Sequence, residues 1–297
     1  MSAPSEGLGI NEKLFPGRQF ISTVLDLLDT KSKMSGRLWR VYLMRAAMAG
    51  IIISVFYLAF YGVQAGFDQV PVSGEATMQP IGKFFGAIVF GFALVFIYFT
   101  KSELLTSNMM VGSIGVYYKH GEWPRVLRIL GLCYLGNFLG GVFIAALLRA
   151  STLLDGGLGT IMGHSVETKL GYITEGAAGW GDLLVRAILC NFLINVAMLL
   201  CYNGMIKGDI TKVASMIAAV FLFAFLGLEH SVANTELFLI YGMHHGINVG
   251  AAVGNVAVAL VGNFIGGGLL IGVYYAYAND FRRAQLHGLI TPDTPTS

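Results

Sequence analysis

Four ionisable residues lie inside apolar stretches of this chain: Lys101, Glu103, Glu229 and His230. A charge or an imidazole at membrane depth is costly, so such residues mark places where a polar species is held or passed. Glu103 and Glu229 suit hydrogen bonds to backbone or pairing with a basic side chain. With Ser102 and Ser231 beside them, they read as the residues that hold two interrupted helices. Lys101 can pair with either glutamate or reach an interface. His230 reads as a pore residue, because a neutral imidazole both gives and takes hydrogen bonds. Thr106 and Ser107 follow the first interruption, where a hydroxyl can donate to a passing anion or to His230. Asn191 and Asn195 stand one turn apart, and Asn137 and Asn263 sit in Gly-Asn-x-x-Gly-Gly strings. Amides of this kind hydrogen-bond across packed helices; for Asn191 and Asn263 a pore-lining role is weighed equally.

Other chemistries find little support. Cys133, Cys190 and Cys201 lie in apolar runs without metal-type spacing and read as buried thiols. His164 with Glu167 is a weak metal pair, and His244-His245 read as solvated. No nucleophile stands with a base; Ser231 beside His230 is a weak candidate. The chain is therefore not expected to be an enzyme, nor to hold a metal or cofactor.

The elements that must position these residues follow from composition. The chain has 297 residues, 55% hydrophobic and only 12% charged; a soluble domain carries about 25% charge. A net charge of +2 leaves no broad footprint for nucleic acid, and no nucleic-acid partner is expected. Glycine, at 39 residues, suits close helix packing in lipid. Apolar runs long enough to span a bilayer cover about 41–63, 84–118, 127–148, 183–202, 213–241 and 247–277. The second and fifth are interrupted by Lys101-Ser102-Glu103 and Glu229-His230-Ser231. Residues 19–40 combine Phe20, Ile21, Val24, Leu25, Leu27 and Leu28 with following basic residues, and read as an amphipathic helix on the membrane surface. The polar N-terminus carries no apolar stretch of signal-peptide type ahead of the first span.

Thirteen of the 19 basic residues fall on one side of the six spans: Lys13, Arg18, Lys31, Lys33, Arg37, Arg40, Lys119, Arg125, Arg128, Lys207, Lys212, Arg282 and Arg283. By the positive-inside rule both termini are cytoplasmic, and the chain is expected in the cytoplasmic (inner) membrane. The domain reading is 1–40, a cytoplasmic N-terminus with the interfacial helix; 41–148, a first three-span repeat; 149–182, an outer loop; 183–277, a second repeat; and 278–297, a cytoplasmic tail.

The repeat is visible in the residues. A shift of 126 carries Glu103, Asn108, Asn137 and Gly140-Gly141 onto Glu229, Asn234, Asn263 and Gly266-Gly267. A shift of 141 carries Arg45-Ala46, Ile53 and Val55 onto Arg186-Ala187, Ile194 and Val196. Each repeat holds three spans, so the second enters from the opposite face. Matched interruptions in an inverted repeat point to a midplane site, because unwound backbone survives there only when buried or lining a cavity. The fold class is an all-α polytopic membrane protein of six transmembrane helices, with an inverted 3+3 repeat and two broken helices. The repeat partner of His230 is Leu104, so the architecture alone does not demand the histidine.

The strings SELLTSN (102–108), AILCN (187–191), FLGLEHSVAN (225–234) and GNFIGGGLL (262–270) resemble the formate/nitrite transporter family along nearly the whole chain. That resemblance implies an aquaporin-like fold and a homopentamer with one pore per protomer, in a lipid bilayer. It implies transport of a small monovalent anion or its protonated acid, formate first, with nitrite, hydrosulfide, lactate or acetate as alternatives, and leaves proton coupling open. By the same resemblance the central histidine falls on His230, the pore threonine on Thr106, the hydrophobic constriction on Phe90, Leu94 and Phe223, the pore-side asparagines on Asn191 and Asn263, and the vestibule lysine on Lys169. Lys101 departs from the family's small residue. A neutral-solute channel of the same architecture would carry paired Asn-Pro-Ala strings at the breaks, and this sequence has none.

Overall fold

The computed structural model describes residues 14–74 and 76–288; the N-terminal residues that include Lys13, and the tail from 289, lie outside the described residues. Helix α1 (Arg18–Arg37) precedes a long first span, α2 (Trp39–Asp68). A short antiparallel pair, β1 (Pro71–Ser73) and β2 (Ala76–Thr77), leads into α3 (Gln79–Phe99). After a break the chain resumes as α4 (Leu105–Tyr117), and α5 (Trp123–Leu148) completes the first repeat. The second repeat opens with α6 (Gly157–Thr174), spans with α7 (Ala177–Tyr202) and α8 (Asp209–Leu226), breaks, and continues as α9 (Ser231–His245). The last span, α10, runs Val249–Ala278 with a π-helical stretch over Phe264–Val273. A short α11 (Phe281–Leu286) follows.

Six helices among the described residues are long and apolar enough to cross a membrane, and they coincide with the six apolar runs. Prolines sit in the first turns of α3 and α5, where the missing N–H is one of the unbonded donors anyway. The repeat is a three-dimensional one. A Cβ at Gly140 would lie 2.1 Å from the Ala47 carbonyl oxygen, and a Cβ at Gly266 would lie 2.1 Å from that of Ile188. Only glycine admits so close a backbone approach, and both sequence shifts, 126 and 141, are reproduced in one contact.

Two expectations are corrected. Helix α1 does not offer its apolar face to lipid: Phe20, Ile21, Val24 and Leu28 are buried in the protein core, because α4, α2 and α5 supply an apolar surface for it. The segment 149–182 is not a plain loop. It folds into α6, which packs on α2, α7, α9 and α10 and buries Met162, Val166 and Lys169. Helices α1 and α6 each precede the first span of a repeat, so the duplicated unit includes an extra helix that hydropathy alone does not reveal.

Candidate functional site

At both breaks the backbone follows one path. Two residues after α3, Lys101 has φ +55°, and directly after α8, Gly227 has φ +68°. The last residue before each resumed helix is extended: Leu104 at φ −110°, ψ 129° and His230 at φ −110°, ψ 117°. Unwound N–H and C=O groups at this depth must be satisfied by protein, and one asparagine does so at each break. Asn137 accepts from Leu105 N (3.2 Å) and donates to the carbonyls of Ala46 (2.8 Å) and Glu103 (2.9 Å). Asn263 accepts from Ser231 N (2.8 Å) and donates to Ala187 (2.8 Å) and Glu229 (3.0 Å). The amides of Glu103 and Glu229 bond the carbonyls of Arg45 and Arg186.

Each glutamate is held in turn. Glu229 takes Lys169 Nζ on one oxygen at 2.7 Å and Asn234 Nδ2 on the other at 2.5 Å. Glu103 pairs with Lys31 and takes Asn108 Nδ2 at 3.2 Å. The two lysines come from α1 and α6. Lys169, expected as the vestibule lysine, is buried with its charge balanced by Glu229, because a bare ammonium there would carry a large desolvation cost. Lys101 pairs with neither glutamate. It is exposed, with Nζ 5.0 Å from the Tyr98 ring centre. Ser102 bonds Thr100 through their hydroxyls at 2.8 Å.

His230 caps α9: its Nδ1 accepts the Ala233 amide hydrogen at 3.2 Å. That leaves the ring hydrogen on Nε2, which faces Thr106 Oγ1 at 3.0 Å. Thr106 therefore accepts from the imidazole and keeps its own hydrogen to donate. Asn191 and Asn195 stand apart from this contact. Both are fully buried. Asn191 Nδ2 donates to the carbonyls of Thr106 (3.2 Å) and Asn263 (2.7 Å), and Asn195 Nδ2 reaches Thr106 O (3.3 Å) and Asn191 Oδ1 (2.7 Å). Asn191 and Asn263, expected along the pathway, have their amide hydrogens committed to backbone carbonyls.

Three cavities adjoin through shared walls at the site. A vestibule of about 850 Å³ on the α6 side includes Lys83, Lys169, Arg186, Phe90 and Phe223 in its wall. Phe90 and Phe223 also bound a void of about 20 Å³ with Leu94, Leu104, Ile53 and His230, room for about one water. Leu94, Ile97 and Leu104 pass on to a vestibule of about 210 Å³ on the side of α1, with Lys31, Arg45 and Lys101. The rings of Phe90 and Phe223 meet edge to face at 5.8 Å, and Phe223 stacks on His230 at 5.9 Å. Leu104, Ile53, Ile194 and Val220 also wall the neck and were not singled out from sequence, although the repeat had named Leu104 as the counterpart of His230. No group of three or more metal-ligating side chains occurs among the described residues. His164 and Glu167 lie 3.8 Å apart and largely in solvent, whereas His244, expected to be solvated, is half-buried and stands 3.7 Å from Asp155.

An inverted repeat of broken helices around a narrow apolar neck between two polar vestibules defines a membrane channel or transporter. The family model for the formate/nitrite transporter matches residues 18–277, and the chain belongs to that family. It is 28% identical over 266 residues to the formate channel FocA of Haemophilus influenzae, covering 79% of this chain and 85% of that one. It is 30% identical over 198 residues to the nitrite transporter NirC of Escherichia coli, covering 64% and 69%. Among solved structures it resembles an FNT family ion channel with a TM-score of 0.74 at 22% identity, over 87% of this chain and 98% of that one. It also resembles a pentameric formate channel with formate bound, at 0.63 and 20%, over 80% and 96%.

Proposed function

We propose that this protein moves small monovalent anions, formate among them, through the neck at His230, crossing as the protonated acid. It does so as a homopentamer with one conduit per protomer, in the cytoplasmic membrane, with both termini inside. The observation that carries this reading is the shared walls of the three cavities, which lead from one vestibule to the other past a single imidazole.

A bare carboxylate in the neck would lose its water among Phe90, Leu94, Phe223 and Leu104, at a cost of several kcal/mol or more. Moving out of water toward those walls makes the anion more basic, so it takes a proton from the water of the vestibule and continues as a neutral molecule. His230 Nε2–H and the Thr106 hydroxyl then replace part of its lost hydration. The histidine acts as a fixed donor and not as a proton source, because its other nitrogen is engaged by the Ala233 amide. Nothing in this sequence of events makes or breaks a covalent bond other than to hydrogen, so the protein is a transporter and not an enzyme.

The test is formate uptake into proteoliposomes as a function of external pH. Uptake at fixed total formate should rise about tenfold for each unit the pH falls while it remains above the acid's own pKa, in step with the neutral fraction. A rate independent of pH would assign transport to the bare anion. Parallel assays with nitrite, hydrosulfide, acetate and lactate rank the substrates; the narrowness of the neck favours those of fewest heavy atoms.

A further inference from the structure

Lys101 stands in the vestibule on the α1 side, outside the neck. It stands in a left-handed backbone conformation, which is strained for any residue with a Cβ. Its counterpart at the other break, shifted by 126, is Gly227, which adopts the same conformation without strain. Non-glycine residues held in this region cluster at functional positions.

The surroundings of the two positions match. Above Gly227, Arg186 Nη1 and Lys83 Nζ lie 3.8 and 4.0 Å from the point where a Cβ would be. Arg186 is the repeat partner of Arg45, and Arg45 walls the opposite vestibule together with Lys101. Each mouth thus gathers an arginine from the first span of its repeat and a lysine at the left-handed turn. At one mouth that lysine is the turn residue itself; at the other it reaches in from the start of α3. Among the described residues, no carboxylate forms an ion pair with Arg45, Lys101 or Lys83, whereas Arg186 at the far mouth is paired with Asp182 at 2.9 Å. The nearby Glu103 and Glu229 are taken by Lys31 and Lys169. Cations gathered in a cavity beside a low-dielectric neck, with their local acids already paired, focus a field that attracts anions.

We infer that Arg45 and Lys101 form an anion-docking site at the mouth on the α1 side, the counterpart of Arg186 and Lys83 at the far mouth. The two sites load the neck from either side, so net direction follows the gradient. This rests on the anion-transport reading above for its consequence, but the binding itself does not.

The experiment compares formate uptake from each face, using right-side-out and inside-out membrane vesicles containing wild type, Lys101→Gln, Lys101→Gly and Lys101→Arg. At low salt and sub-saturating formate, Lys101→Gln and Lys101→Gly should lower the initial rate about threefold from the α1 face only, and high salt should erase the difference. Lys101→Arg should keep the rate. Lys101→Gly should also melt about 2 °C higher, because it relieves the turn; a variant that is more stable yet slower from one face separates docking from folding. Unchanged rates, or equal loss from both faces, would overturn the inference. Bromide located by anomalous scattering gives a readout without transport: density beside Arg45 and Lys101 that vanishes in Lys101→Gly supports the site even if no formate flux is found, and its absence from the wild type rejects the site even if flux is present.

Discussion

The two breaks share a skeleton and differ in what they present to the conduit. Asn137 and Asn263, Glu103 and Glu229, and Lys31 and Lys169 make the same bonds at both. Leu104 stands where His230 stands, and Val232 where Thr106 stands. The space beside Gly267 is filled by the amides of Asn191 and Asn195, and that beside Gly141 by the buried carboxyl of Glu236. What is duplicated solves a problem common to any broken helix, which is to satisfy unwound backbone away from water. What is not duplicated is one donor pair, His230 with Thr106, set against an apolar wall from the other half, and the proposed conduction rests on it. A perfectly symmetric protein would have two donor pairs or none.

The largest expected effect separates the two glutamates. Glu229→Ala leaves Lys169 buried without its partner and should cost about 3–5 kcal/mol, read as loss of the folded protein in detergent or a fall in its melting temperature. Glu103→Ala should cost less, because side-chain exposure is 13% and 8% for Lys31 and Glu103 against 9% and 2% for Lys169 and Glu229. The double change Lys169→Met, Glu229→Gln should recover part of the loss, since it removes both charges. Equal cost at the two breaks would mean that burial does not set the difference.

Next comes the donor pair. His230→Leu gives the second break the side chain of the first. It removes both the α9 cap and the donor to Thr106, and formate flux should fall about a hundredfold, the scale for removing one preorganised donor from a dry site. His230→Asn retains a polar side chain that can cap and donate, and should lose less. Thr106→Val copies Val232 and strands the Nε2 hydrogen at a cost of about 1–3 kcal/mol; flux should drop about tenfold and return in Thr106→Ser. If Thr106→Val transports normally, the imidazole works without a partner and the asymmetry lies in the histidine alone.

Much of the skeleton was legible because it repeats. Six runs, two polar interruptions and the shifts of 126 and 141 follow from residue identity, and inverted symmetry follows from the odd number of spans per repeat. The pairing of each glutamate with a lysine was one of two options open from sequence, and its partners were hidden. Lys31 lies about 70 residues from its glutamate and Lys169 lies 60 from its own, on helices too polar to register as spans. The same gap explains α1, whose amphipathic pattern reads equally as lying on lipid or on protein; only the apolar surfaces of α4, α2 and α5 decide it. Asn191 and Asn263 were ambiguous for another reason: an amide at an interface and an amide in a pore have the same sequence signature, and only their bonds to Thr106, Glu229 and Ala187 distinguish them.

The smallest expected effect tests the apolar half of the comparison. If Leu104 is the wall against which His230 orients the passing acid, its volume should set which acids pass. Leu104→Val removes one methylene from a neck of about 20 Å³ and should lower stability by no more than about 1.5 kcal/mol. One methylene in a tight apolar site is worth about tenfold in discrimination, but Ile53, Phe90 and Phe223 still frame the neck, so the lactate-to-formate flux ratio should rise only about threefold while formate flux alone barely changes. The matched change Phe223→Leu on the opposite wall also removes the ring stacked on His230, so it should alter formate flux as well as the ratio. A ratio that responds to Phe223→Leu and not to Leu104→Val would place selectivity wholly in the second half of the repeat, and would make Leu104 a filler left by the duplication.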